Sequence, residues 1–159
     1  LEPEFESWIP PVGSTPAAVA KAKWKVVGKS HDSPGGEARR AIDGDPTTLW
    51  HTHGPDGEHG LPQEITVDMG SAKSLAGFTY TPRTGVLHGM VDQFTFQLSL
   101  DGKTWQTAAS GEFGNLRANP VEQTVAFPPA KARYFRFIAT RAIEKNHAAV
   151  AEIGVVEAK

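Results

Sequence analysis

Between Ala41 and Gly60 the chain reads AIDGDPTTLWHTHGPDGEHG, which sets Asp43, Asp45, Asp56 and Glu58 among His51, His53 and His59. Carboxylates and imidazoles at this density suit three chemistries: an oxygen-rich cation site, a transition-metal site, or a polar ligand site. The turn DGDPTT suits the first. Asp43, Asp45 and Thr48 carry side-chain oxygens, and Gly44 and Pro46 force the backbone to turn between them. Such a turn points carbonyls inward, and calcium takes about six to eight oxygens from carboxylates, hydroxyls and carbonyls alike. Glu152, in VAEIG, is a candidate for a further carboxylate. The plainer reading is a surface Asp-Gly turn in which Asp43 caps backbone amides.

The histidines suit the second chemistry. His51, His53 and Glu58 form H-x-H-x4-E, which is close to the first metal motif of cupins. With His88 or His147 they could hold iron, manganese or zinc, giving a metalloenzyme. The flanking glycines and the downstream P-x-G-and-histidine element of that motif are absent. There is no G-x-S-x-G, P-loop or G-x-G-x-x-G, and no residue is assigned a catalytic role.

The whole chain narrows the choice. Its 159 residues suit one domain with a real core. A net charge of −2 and a pI near 6.3 speak against nucleic acid or an anionic membrane as partner. No apolar run approaches the roughly 20 residues of a membrane-spanning helix. Without cysteine there is neither a disulfide nor a thiol for chemistry.

The elements that must position these residues are strands. After Lys23 the apolar periodicity is two. WKVVG (24–28), EITVDMG (64–70), LAGFTYTPR (75–83), FTFQLSL (94–100), EQTVAF, RYFRFIA and VAEIGVVEA read as strands separated by Gly, Pro, Asn and Asp. In FTFQLSL the pattern turns Phe94, Phe96, Leu98 and Leu100 inward, and Asp101-Gly102 marks a hairpin. About eight short strands predict an all-β antiparallel sandwich of jelly-roll type. Trp24, Trp50 and Trp105 are assigned to its core. Residues 1–22 read as a proline-rich linker or arm, its first residues LEPEF an expression remnant or interdomain tail, and residues 23–159 as the domain. The functional loops are then 30–36, 43–60, 82–89 and 141–150, which hold all six histidines.

Taken in order, AIDGDPTTLWHT, EITVDMG, GFTYTPR, LSLDGKTW, RYFRF and VAEI resemble the discoidin, or coagulation factor V/VIII type C, domain, and within it the bacterial family 32 carbohydrate-binding modules. The stretch GEFGNL…NPVEQTVAF is similar to modules attached to α-L-fucosidases. The resemblance covers about Trp24 to Val156. It implies a structural Ca2+ held by Asp43, Thr48 and Glu152, with carbonyls from Arg40, Asp45 and Ala151. It also implies a sugar site in which His51 of W-H-T and Arg83 of Y-x-P-R bond hydroxyls. His88 stands where many members carry asparagine. Glu37 or Asp32 would supply the acid of the first loop. Gly54 and His147 stand where galactose binders place an aromatic platform, and the His147 imidazole is the smaller ring that could stack there. The implied function is a non-catalytic module, calcium-stabilised and monomeric, of a secreted, periplasmic or cell-surface bacterial glycoside hydrolase. Its partners would be glycans bearing galactose, N-acetylgalactosamine or fucose, and the catalytic domain of the parent chain. The alternatives are a structural or protein-interaction module of the same fold and the cupin-like metalloenzyme.

Overall fold

A computed structural model describes residues 18–54, 57–58, 60–86, 89–114, 121–144 and 146–158. Among them the chain forms β1 (Lys25–Lys29), a 3₁₀ helix (Ala38–Ile42), β2 (Trp50–His51), β3 (His53–Gly54), β4 (Gly57–Glu58), β5 (Gln63–Thr81), β6 (Val91–Ser99), β7 (Gln106–Glu112), β8 (Gln123–Ala142), β9 (Ala149–Val150) and β10 (Glu152–Glu157). All strand pairs are antiparallel, in the order β1-β5-β8-β6-β7, with β10 also on β5. No helix among the described residues is long and apolar enough to cross a membrane.

The sandwich is built by two long strands that serve both layers. The register of β5 on β8 shifts between Asp68 and Lys73 and again between Leu75 and Gly77. Before the shift β5 pairs with β1; after it, with β10. The second half of β5 then faces the first layer. Phe78 stacks on Phe96 of β6 at 4.1 Å, and Tyr80 stacks on Phe137 of β8 at 5.7 Å. The period-2 apolar residues of both layers meet there: Ile65, Val67, Phe78, Tyr80, Phe96, Phe135 and Phe137 are fully buried. Each such side chain contributes about 1.5–3 kcal/mol by leaving water.

Three expectations are corrected. The folded part begins before Lys23: Val19 is 6 % exposed, its amide donates to Val155 O at 3.2 Å, and Ala18 bridges Val156. The apolar Val19 needs cover, and the edge of β10 offers it backbone partners. Trp105 is not core. It lies half-exposed beside the 99–106 turn, with the Arg136 guanidinium 4.0 Å over its ring. Leu100 is 58 % exposed, because the strand ends at Ser99 and alternation stops where the turn begins. The turn itself is as expected, with Asp101 Oδ1 accepting the amides of Lys103 and Thr104 and Gly102 at φ 76. The strand QTAASGE of β7 was not expected, since its residues are small and polar and its burial does not alternate.

Candidate functional site

The acidic turn folds as a self-bonded unit. Thr48 Oγ1 donates to Asp43 Oδ2 at 2.6 Å, and the Asp45 amide donates to Asp43 Oδ1 at 2.9 Å. Asp45 Oδ1 accepts the amide and hydroxyl of Thr47, and its carbonyl accepts the Thr48 amide. Gly44, at φ 78, takes the left-handed conformation this turn requires. Glu152, at the start of β10, reaches the same turn: the Gly44 amide donates to both its oxygens, at 3.2 and 3.1 Å. Burial pushes the Glu152 carboxyl above the usual range, and the adjoining Asp43 carboxyl adds to this, against the lowering effect of Lys21 and the Gly44 amide. The Lys21 ammonium bonds Glu152 directly. Thus Asp43, Thr48 and Glu152 come together, and the exposed Asp43 carboxyl adjoins the half-buried Glu152 carboxyl in a place that favours positive charge. Arg40 and Asp45 frame the turn, and Ala151 is buried with its amide on Thr81 O. Among the described residues no three acids or histidines gather as a metal cluster; a cation here would draw on the Asp43 and Glu152 carboxyls, Thr48 and carbonyls. An all-oxygen donor set of this kind would suit calcium better than zinc or iron.

His51 and Arg83 are brought to one end of the sandwich. β2 pairs with β9, setting Trp50 against Val150 and His51 against Ala149. Trp50 is wholly buried and its indole donates to His31 O at 2.8 Å. Thr52 is buried, with its hydroxyl and amide bonded to the backbone of Ala148. Between these two anchors His51 is half-buried. Tyr80 ties the same end together: its hydroxyl donates to Ala149 O at 3.1 Å and accepts the Val91 amide at 2.9 Å. Three residues on, just past β5, Arg83 stands half-exposed, its pKa lowered by burial. One end therefore holds a half-exposed planar guanidinium and an imidazole that donates or accepts, groups suited to sugar hydroxyls.

The other expected ligand residues divide. His147 is corrected: it is 3 % exposed and packed against Gly89, whose added Cβ would lie 2.8 Å from Nε2. A buried imidazole offers no face for stacking. The Asp32 carboxylate accepts the Ala38 amide at 2.9 Å and pairs with Lys29, holding the start of the 3₁₀ helix. Glu37 accepts the Gly35 amide at 3.0 Å and pairs with Arg40 at 3.0 Å. These contacts, with the Glu37 backbone amide, hold its pKa near about 2. His88 lies outside the described residues, as do the side chains of His53, Gly54 and Glu58. The HGPDGEHG segment, expected as loop, pairs His53 with Glu58 and Gly54 with Gly57 as a small ladder.

Two residues of the site were not anticipated. Ser33 Oγ lies 2.6 Å from His51 Nδ1, and Gly36 lies flat against the imidazole. The signal was present as SPGG (33–36), whose proline and glycine at the two middle positions, Pro34 and Gly35, specify a type II turn.

A family model described as F5/8 type C domain matches residues 25–153. The chain is 36 % identical over 123 residues to a sialidase of Micromonospora viridifaciens, covering 76 % of this chain and 18 % of that protein. It is 32 % identical over 151 residues to a galactose oxidase of Gibberella zeae, covering 93 % of this chain and 21 % of that protein. It thus spans about a fifth of the length of the curated relatives it matches. Among solved structures, CpGH89CBM32-5 from Clostridium perfringens, in complex with GalNAc-β-1,3-galactose, superposes with a TM-score of 0.80 at 27 % identity, over 87 % of this chain and 99 % of that one. The family 32 module of C. perfringens NanJ, in complex with galactose, gives 0.77 at 26 % identity, over 88 % and 98 %. Motif order, sandwich topology and family match agree, and the chain belongs to the F5/8 type C (discoidin) domain family.

Proposed function

We propose that this chain is a non-catalytic carbohydrate-binding module that holds a secreted parent enzyme on glycans ending in galactose, N-acetylgalactosamine or fucose. The observation that carries the reading is the placement of His51 and Arg83 at the same end, around Ala149 and Tyr80, in a fold whose solved neighbours are bound to galactose and to GalNAc-β-1,3-galactose. An imidazole and a guanidinium fixed in this way would distinguish an axial from an equatorial hydroxyl, because a mismatched ligand leaves a desolvated donor unpaired. Such a site binds weakly by itself and acts by tethering, which raises the local concentration of substrate. The parent would be a glycoside hydrolase, with an α-L-fucosidase as one form, acting outside the cytoplasm. A Ca2+ ion in the Asp43–Thr48–Glu152 turn would join the first loop to the last strand and stiffen the end that carries His51.

Titration with methyl β-galactoside, N-acetylgalactosamine and fucose tests this. His51→Ala and Arg83→Ala should each lower affinity about tenfold or more, as expected for losing a hydrogen bond to a charged or desolvated partner. Binding that is unchanged in both variants would refute the site. A second reading, a structural or protein-interaction module of the same fold, is favoured by the burial of His147, which removes one stacking platform. Silence toward every glycan on an array would select it.

A further inference from the structure

The turn Ser33-Pro34-Gly35-Gly36 meets His51 through its backbone, the Ser33 hydroxyl and the Gly36 Cα. Its two ends bridge each other, with the Gly36 amide on Ser33 O at 2.8 Å, and Gly35 sits at φ 80. The Ser33 amide donates to His51 O at 3.1 Å, and the His51 amide donates to Gly36 O at 3.1 Å. The Ser33 hydroxyl, on a side chain that is itself buried, lies 3.0 Å from His51 O and 2.6 Å from His51 Nδ1. Finally, a Cβ on Gly36 would stand 2.5 Å from Nε2 and 2.8 Å from Cγ, so the bare Cα of this residue is the surface on which the ring rests. No larger residue fits at 36 without moving the imidazole or the turn.

We infer that the Ser33–Gly36 turn is a clamp that fixes the His51 imidazole in one orientation before ligand arrives, and that Ser33 and Gly36 therefore set the epimer specificity of the site without touching the sugar. The inference rests on the reading of His51 as a sugar contact. A ring free to rotate could follow either epimer of a hydroxyl; a ring held by a hydroxyl on one edge and a glycine on one face serves only one position. Preorganisation of this kind removes the ordering cost of the side chain from the binding step.

The test uses the whole domain, titrated with methyl β-galactoside and methyl β-glucoside, which differ only at one hydroxyl. Gly36→Ala and Ser33→Ala should weaken galactoside binding about three- to tenfold, the value of one hydrogen bond or one ordered side chain. They should also bring the galactoside-to-glucoside ratio toward one, which a mere loss of stability would not do. Ser33→Thr, which keeps the hydroxyl, should retain the ratio. If Ser33→Ala and Gly36→Ala keep both affinity and ratio while His51→Ala loses binding, the clamp is refuted and the sugar site stands. If His51→Ala binds as the parent does, the sugar reading falls. The clamp is then judged by proton NMR alone: a strong nuclear Overhauser contact between Gly36 Hα and the His51 ring upholds it, and absence of that contact overturns it.

Discussion

Glu152 accepts the Gly44 amide with both carboxylate oxygens, at 3.2 and 3.1 Å, so the last strand is fastened to the first acidic turn. The turn's own acid, Asp43, adjoins that carboxyl, and its presence helps keep Glu152 hard to ionise. A divalent cation would relieve both costs at once. Calcium at a hundredfold excess over its dissociation constant should therefore stabilise the fold by about 2.7 kcal/mol and raise Tm by roughly 5–10 °C. Scanning calorimetry with calcium and with chelator measures the difference. Asp43→Ala and Glu152→Ala should abolish it, and an equal Tm in both conditions would refute a structural ion.

Lys21 gives that site an internal competitor. Its ammonium bonds Glu152 and lies 5.6 Å from the centre of the Trp24 ring. A cation that takes Glu152 must displace this ammonium. Lys21→Met, which keeps the packing and removes the charge, should tighten calcium binding several-fold and lower Tm only in chelator. Isothermal titration checks the first half and thermal melting the second. Weaker calcium binding in Lys21→Met would mean that Lys21 supports the ion site rather than competing with it.

Glu37 predicts an acid-sensitive first loop. The Gly35 amide, followed by its own amide and Arg40, holds its carboxyl near about 2, below the ordinary 4.5. The folded state thus binds its proton less readily than the unfolded chain. The stability this gives is complete above pH 4.5 and is lost as pH falls through the interval down to about 2. Glu37→Gln should match the parent's stability at the acid end of the interval and fall below it at neutral pH. Because the carboxyl is exposed, the difference should be small and reduced by salt. Urea melts at pH 3 and pH 6 decide it; a gap that widens toward acid would contradict the sign.

The strands were readable where alternation is clean and apolar residues are large, as in FTFQLS, where Phe94, Phe96 and Leu98 are buried in turn. β7 was not, because Ala108, Ala109 and Ser110 carry no periodic signal and form a strand only by pairing with β6. The joining of two expected strands into the 19 residues of β5 was also hidden. Gly70, at φ 90, reads as a strand end in sequence, yet it only marks a bend. The acidic turn was legible because its Asp, Gly, Pro and Thr act locally. Glu152, on a distant strand, was only a candidate from the residues, and the family resemblance is what tied it to the turn. Trp105 misled because an aromatic beside a hairpin suggests burial, whereas here Arg136 covers it from the solvent side. The Ser33–Gly36 clamp needed only the turn rule for SPGG, but nothing local names His51 as what the turn holds.

His147 separates packing from recognition. Its ring is 3 % exposed, and the adjoining Gly89, at φ 86, brings its backbone too close for a side chain. The Gly89 amide in turn bonds Ile143 O, and its carbonyl accepts the amide of Ala149 at 2.7 Å, the residue paired with His51 in the β2–β9 ladder. His147 thus supports the floor of the ligand end rather than its surface. His147→Ala should cost about 2–4 kcal/mol, in the range for truncating a large buried side chain. Sugar affinity, measured below the lowered Tm, should stay within about twofold, less than the smallest single hydrogen-bond effect. Loss of affinity greater than tenfold with Tm unchanged would instead return His147 to the ligand surface.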